Sequence, residues 1–161
     1  MQQILSELTS RLISHNTKVV TVESCTAGWI GKILTDQPGS SQWFAGGLIT
    51  YTNESKSLLA KVPSILIEQH GAVSTAVAES MAIGANEYFD HTISVAVSGI
   101  AGPDGGTETK PVGTVCIATY YGQMVESKSY LFKGGRNEIR RQTAEHALKM
   151  LLSRLQKKSS Q

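Results

Sequence analysis

Three segments of this chain bring nucleophile, base and anion-binding residue types to points where the flanking pattern changes. The first is Glu23-Ser24-Cys25-Thr26-Ala27-Gly28, between the β-branched run Lys18–Val22 and a helical spacing that starts at Trp29. A serine at such a junction reads two ways. As an N-cap it accepts from the first amides of the helix, a gain of about 1 kcal/mol. As a nucleophile it lies beside unpaired N–H groups that can hold the oxyanion of a tetrahedral intermediate. Cys25 is a rival nucleophile, because a helix N-terminus also lowers a thiol pKa, and it equally suits a packing role.

The second segment is Tyr51-Thr52-Asn53-Glu54-Ser55-Lys56. With Asn53 as N-cap, Lys56 falls at the third helical position, where the macrodipole opposes a cation. Partial burial lowers its pKa further, and a neutral lysine can act as general base toward a serine hydroxyl. The alternative is an ordinary solvated lysine. The third segment, Ser98-Gly99-Ile100-Ala101-Gly102-Pro103-Asp104-Gly105-Gly106, follows a buried-strand pattern and is rich in glycine, which lets backbone amides approach a ligand. It has neither the Walker ending nor the dinucleotide fingerprint, so neither ATP nor NAD is implied. A loop of this length in a small domain favours function over idle connection. Arg136 and Arg140, one helical turn apart, could clamp a phosphate or pair with Glu138 or Glu145 on the helix surface.

The elements that must position these residues follow from periodicity. Ile4, Leu5, Leu8, Leu12 and Ile13 predict an amphipathic helix over 2–15. Lys18–Val22, Trp43–Tyr51 and His91–Ser98 read as strands, with a helix capped by Ser74 before the third and a short helix over Ile65–Gln69. Val112–Tyr121 and Met124–Phe132 form a hairpin, Arg136–Leu155 a last helix, and 157–161 a polar, frayed tail. Strands interleaved with helices, plus a hairpin, imply an α/β fold: a three-layer α/β/α sandwich with a mixed sheet, formed by a single domain over 1–156. The three chemical segments then fall at the carboxyl ends of strands, where open α/β sheets bind ligands.

Composition narrows the partners. The chain has 161 residues and a net charge of +2, and only Lys157-Lys158 approaches a basic block, so a nucleic-acid partner is not expected. No apolar run reaches the ~20 residues that span a bilayer, so no membrane role is expected. Two cysteines, Cys25 and Cys116, make neither a disulfide framework nor a zinc site, and His15, His70, His91 and His146 are scattered, so no metal is expected. A cytoplasmic location and a homodimer are expected.

Six segments in order carry a family resemblance: Glu23–Gly28, Tyr51–Lys56, His70–Ser74, Ser98–Gly106, Lys110–Val115 and Gly134–Arg140. Over roughly residues 4–155 the sequence resembles the C-terminal domain family of the competence/damage-inducible protein CinA. The resemblance implies hydrolysis of nicotinamide mononucleotide to nicotinic acid mononucleotide and ammonia, in pyridine nucleotide recycling, by a Ser/Lys pair without metal or cofactor. By motif, Ser24 is then the nucleophile and Lys56 its base. Substrate contacts are expected from Cys25, Thr26, Gly28, Tyr51, Ser98, Gly99, Ala101, Gly102, Arg136 and Arg140. A non-catalytic nucleotide-binding or sensor module is the alternative from another class, and a Cys25 hydrolase a third. The family often has Gly where this chain has Ala27, and Asp where it has Gly135.

Overall fold

The computed structural model describes residues 1–158. Its elements, in chain order, are α1 (Gln2–Ser14), β1 (Lys18–Glu23), α2 (Trp29–Thr35), β2 (Phe44–Ile49), α3 (Asn53–Ala60), α4 (Ser64–His70), α5 (Thr75–Asn86), β3 (Thr92–Gly99), β4 (Thr114–Tyr121), β5 (Met124–Leu131) and α6 (Arg136–Lys158). The five strands form one sheet in the order β2-β1-β3-β4-β5. The β2, β1 and β3 strands run parallel; β4 and β5 are antiparallel additions. Helices cover both faces, so the expected mixed-sheet α/β sandwich is what forms.

The two faces are built differently, and the period-2 alternation of β3 shows why. Ile93, Val95 and Val97 point into a core of large side chains shared with α1, α2 and α6. Ser94, Ala96 and Ser98 point the other way, toward α5. That layer is tight because α5 meets the sheet with Ala78, Ala82 and Ala85, and Ser94 Oγ donates to Ala82 O at 2.6 Å. The β4–β5 hairpin turns through Gly122 and Gln123, both at positive φ (58° and 64°), the backbone of a two-residue type I′ turn.

Three expectations need correction. The N-cap of α3 is Thr52, not Asn53, which moves Lys56 to the fourth helical position. A capping box needs an acceptor three residues on: Ser55 answers Thr52, whereas the third residue after Asn53 is Lys56, which has none. Ser24 is not the N-cap of α2; Gly28 holds that place at φ 98°. Finally, α6 continues to Lys158, through the start of the segment expected to fray. Lys157 Nζ there meets Glu126 Oε2 of β5 at 2.9 Å, while the remaining tail, 159–161, lies outside the described residues.

Candidate active site

Because β1, β2 and β3 are parallel neighbours, the segments leaving their carboxyl ends share one edge of the sheet. Ser24 follows β1, Thr50 and Tyr51 follow β2, and Gly99 ends β3. From α3, Lys56 reaches back under this edge. Its Nζ lies 3.1 Å from Ser24 Oγ, across thirty-two positions of sequence, and donates to Thr50 O at 2.9 Å. Lys56 is only 2% exposed and makes no ion pair with any described residue. Burial therefore pushes its pKa below the ordinary 10.5.

The turn carrying Ser24 is shaped by a residue that sequence reading left without a role. Glu23, fully buried, receives Thr26 Oγ1 at 2.6 Å and the amides of Gly28, Ile30 and Gly31 at 2.9, 3.1 and 2.9 Å. The carboxylate thus takes the place at the start of α2 that the capping reading gives to Ser24. No local signal marked it, because Glu23 ends β1 five positions before the Gly28 N-cap and reaches the helix only through the fold of the turn. Ala27 adopts φ 49°, so the position where the family often has glycine does need the left-handed region; alanine there costs about 1 kcal/mol. At Gly135, the other departure, the N–H donates to Glu138 Oε2 at 3.0 Å, which supplies the local cap from within the helix.

From the opposite side, α6 grips the same turn. Arg140 Nε donates to Cys25 O at 3.0 Å and Nη2 to Thr26 O at 3.1 Å, while its guanidinium lies 5.1 Å from the Trp29 ring centroid. Arg136 donates through Nη1 to Gly102 O (2.8 Å) and through Nη2 to Tyr51 Oη (3.1 Å), tying the glycine-rich loop to the end of β2. The two arginines therefore brace backbone carbonyls, and Arg136 the Tyr51 hydroxyl as well; neither pairs with Glu138 or Glu145, and Glu145 instead meets Arg141 and Lys149. A hollow of about 410 Å³ lined by Thr26, Ala27, Gly28, Trp29, Lys32 and Arg140 borders the turn.

In the loop, Ser98 is buried and its hydroxyl donates to Ala72 O at 2.7 Å, which orients it toward the start of α5. The Gly99 position packs against Val115, and Ala101 and Gly102 are buried at the loop base. Lys110, not anticipated as a site residue, pins the far side of the loop through Nζ to His70 O at 2.8 Å. Tyr51 is 55% exposed and forms the open rim.

Cys25 does not match the reactive thiol that its position suggested. Burial pushes its pKa up to about 11, with the nearby Glu23 carboxylate adding to the rise. The helix start that would have lowered it is already engaged by that same carboxylate. Among the described residues no cluster of three or more His, Cys, Asp or Glu could hold a metal, and no helix is long and apolar enough to cross a membrane.

Fold and site together define a mixed-sheet α/β protein with a buried serine–lysine contact at the carboxyl edge of its parallel strands. The chain belongs to the CinA C-terminal domain family, whose model matches residues 1–155. It is 46% identical over 152 residues to the nicotinamide-nucleotide amidohydrolase PncC of Pseudomonas putida, covering 92% of this chain and 95% of that protein. It is 44% identical over 157 residues to a CinA-like protein of Mycolicibacterium paratuberculosis, of which it spans only 36%. Among solved structures, the competence/damage-inducible protein CihA of Agrobacterium tumefaciens superposes with a TM-score of 0.86 at 39% identity, covering 93% of this chain and 94% of that one.

Proposed function

We propose that this chain, acting as one catalytic unit over residues 1–156, hydrolyses the carboxamide of nicotinamide mononucleotide to the acid and ammonia, in pyridine nucleotide recycling. The observation that carries the reading is the 3.1 Å contact between Lys56 Nζ and Ser24 Oγ, made by a lysine that is buried without a carboxylate partner. The name of the Pseudomonas relative supports the substrate, since that protein matches this one over nearly its full length.

A neutral amine has two hydrogens and one lone pair. One hydrogen goes to Thr50 O, which turns the lone pair toward the Ser24 hydroxyl. Lys56 then takes the hydroxyl proton as Oγ bonds to the amide carbon, and returns it to the departing nitrogen as the C–N bond breaks. Water releases the acyl group by the reverse proton path. The oxyanion donors are the amides of Cys25 and Thr26. Of the N–H groups from 25 to 31, these are the two that donate to no carbonyl or carboxylate of the described residues. Tyr51, Gly28 and the 98–102 segment line the substrate's path. The phosphate meets the remaining guanidinium nitrogen of Arg140 at the hollow that also holds Lys32, and Arg136 shapes the loop beside it. Cytoplasmic location and homodimeric assembly, without nucleic acid or membrane as partner, belong to the same proposal.

Ammonia release from nicotinamide mononucleotide by the purified protein tests it. Ser24→Ala and Lys56→Met are each expected to lower kcat by roughly 10³-fold or more with the circular dichroism spectrum retained. An active Ser24→Ala protein together with an inactive Cys25→Ala protein overturns the nucleophile assignment, and ligand binding without turnover in the parent overturns catalysis.

A further inference from the structure

We propose that Glu23 is a positioning residue for the reaction: its buried carboxylate latches the turn so that the two unpaired amides and the Ser24 hydroxyl face the same substrate atom. The proposal rests on the Ser24 nucleophile reading and adds to it a residue that never touches substrate.

Left to itself, α2 would present its first amides to any anion in the cleft. Glu23 removes that option by accepting from Gly28, Ile30 and Gly31. Two other amides of the turn are satisfied internally, Ala27 N by Ser24 O at 3.1 Å and Trp29 N by Thr26 O at 3.2 Å. Only the Cys25 and Thr26 amides remain, in residues that are 5% and 0% exposed. Unpaired buried amides are rare, and two in succession directly after a serine form a ready oxyanion site.

Their direction is set by the other end of each peptide. In a trans peptide the C=O and the next N–H point opposite ways. Arg140 pulls the Cys25 carbonyl toward α6, so the Thr26 N–H points away from α6. Ala27 N holds the Ser24 carbonyl, which fixes the Cys25 N–H in the same manner. The turn closed by this second tie runs straight into the Ala27–Gly28 pair, which is left-handed at φ 49° and 98°. Glu23 enforces that conformation, because its oxygens bond to Thr26 before the left-handed pair and to α2 after it. Loss of the latch frees Ala27 to relax, and the α2 amides then compete with the Cys25–Thr26 pair for the developing anion.

Glu23→Gln tests the latch, since the amide keeps the shape but replaces one acceptor oxygen with a donor facing backbone N–H. Measured well below its own melting temperature, this variant is expected to lose at least tenfold in kcat with KM within threefold of the parent. The acid limb of its pH–rate profile should stay where the parent's lies, because Glu23 does not contact Lys56. A kcat within twofold of the parent, or a displaced acid limb, overturns the proposal. Thr26→Val, which deletes one of the four bonds and leaves the carboxylate, provides the milder variant if Glu23→Gln does not fold; it should lose two- to fivefold in kcat, and an unchanged kcat counts against the latch.

A fluorophosphonate probe of serine nucleophiles separates this from failure of the functional reading. If the parent is labelled at Ser24 but leaves nicotinamide mononucleotide intact, the substrate assignment fails alone, and tenfold slower labelling of Glu23→Gln still supports the latch. A parent that is neither labelled nor active overturns both.

Discussion

Lys56 carries an unusual load for a lysine. It is 2% exposed, and the groups it touches are a hydroxyl and a carbonyl, neither able to neutralise an ammonium. Desolvation therefore holds its pKa below 10.5 and raises the neutral fraction available at any given pH. Since the unprotonated amine is the active form, kcat/KM should rise with pH along an acid limb whose midpoint lies below the ordinary lysine value. A pH–rate series checks this, and a limb centred at or above 10.5 sinks the assignment. The same shift has a stability consequence with a definite sign. Between its folded value and the ordinary value, Lys56 binds a proton only in the unfolded chain, so the fold loses stability as pH falls through that interval.

At the scale of elements, the Ser24–Lys56 contact depends on how closely α3 lies against α5. Gly84 of α5 meets the carbonyl of Ala60, the last residue of α3, so closely that a Cβ would occupy the carbonyl's own space. Gly84→Ala should gain about 1 kcal/mol in helix propensity but lose about 3 kcal/mol to overpacking against a backbone carbonyl, a net destabilisation of about 2 kcal/mol. Because α3 must shift outward and takes Lys56 with it, kcat should fall at least tenfold (about 1.4 kcal/mol) even where the protein remains folded. Chemical denaturation and steady-state kinetics on the variant give both numbers; a kcat within twofold of the parent would show that α3 does not need this approach. The glycine-rich loop is positioned by comparable ties, to α6 through Arg136 and to the end of α4 through Lys110.

Across the whole molecule, α6 links regions far apart in sequence: its first turns brace the site and its last turns hold the hairpin. At the distal end Arg154 and Lys157 converge on Glu126 of β5, and the Lys157 bond draws the Glu126 carboxyl below the usual carboxylate range. A lowered carboxyl pKa stabilises the fold above about pH 4.5, and the contribution disappears as pH falls through the folded value. The side chain is 39% exposed, so screening keeps its worth small. Glu126→Gln should lower the melting temperature at pH 7 by at most about 4 °C, and the gap should close on acidification below the usual carboxylate range. A gap that widens in acid contradicts the assignment. The catalytic end should be unaffected, because these ties lie at the other end of α6.

The sequence by itself determined the local grammar of this protein. Strand runs and helical spacings showed in β-branched clusters and apolar periods, because those depend on neighbours within a few residues. The serine and the lysine were legible as candidates for the same reason: each stands where the pattern changes, inside a recognisable motif. What the tertiary structure decided were the contacts that no local rule encodes. Strand order brought Ser24 and Lys56 to one edge, and the Glu23 carboxylate displaced Ser24 as cap by reaching forward to four donors. Arg140, read along its helix as a phosphate clamp or a surface charge, also holds two carbonyls more than a hundred residues away. Burial settled the two titratable neighbours in opposite ways, raising the Cys25 thiol out of the reactive range while lowering the Lys56 amine toward it. Desolvation disfavours whichever form is charged, and how far each group is desolvated depends on the assembled layers rather than on the order of residues.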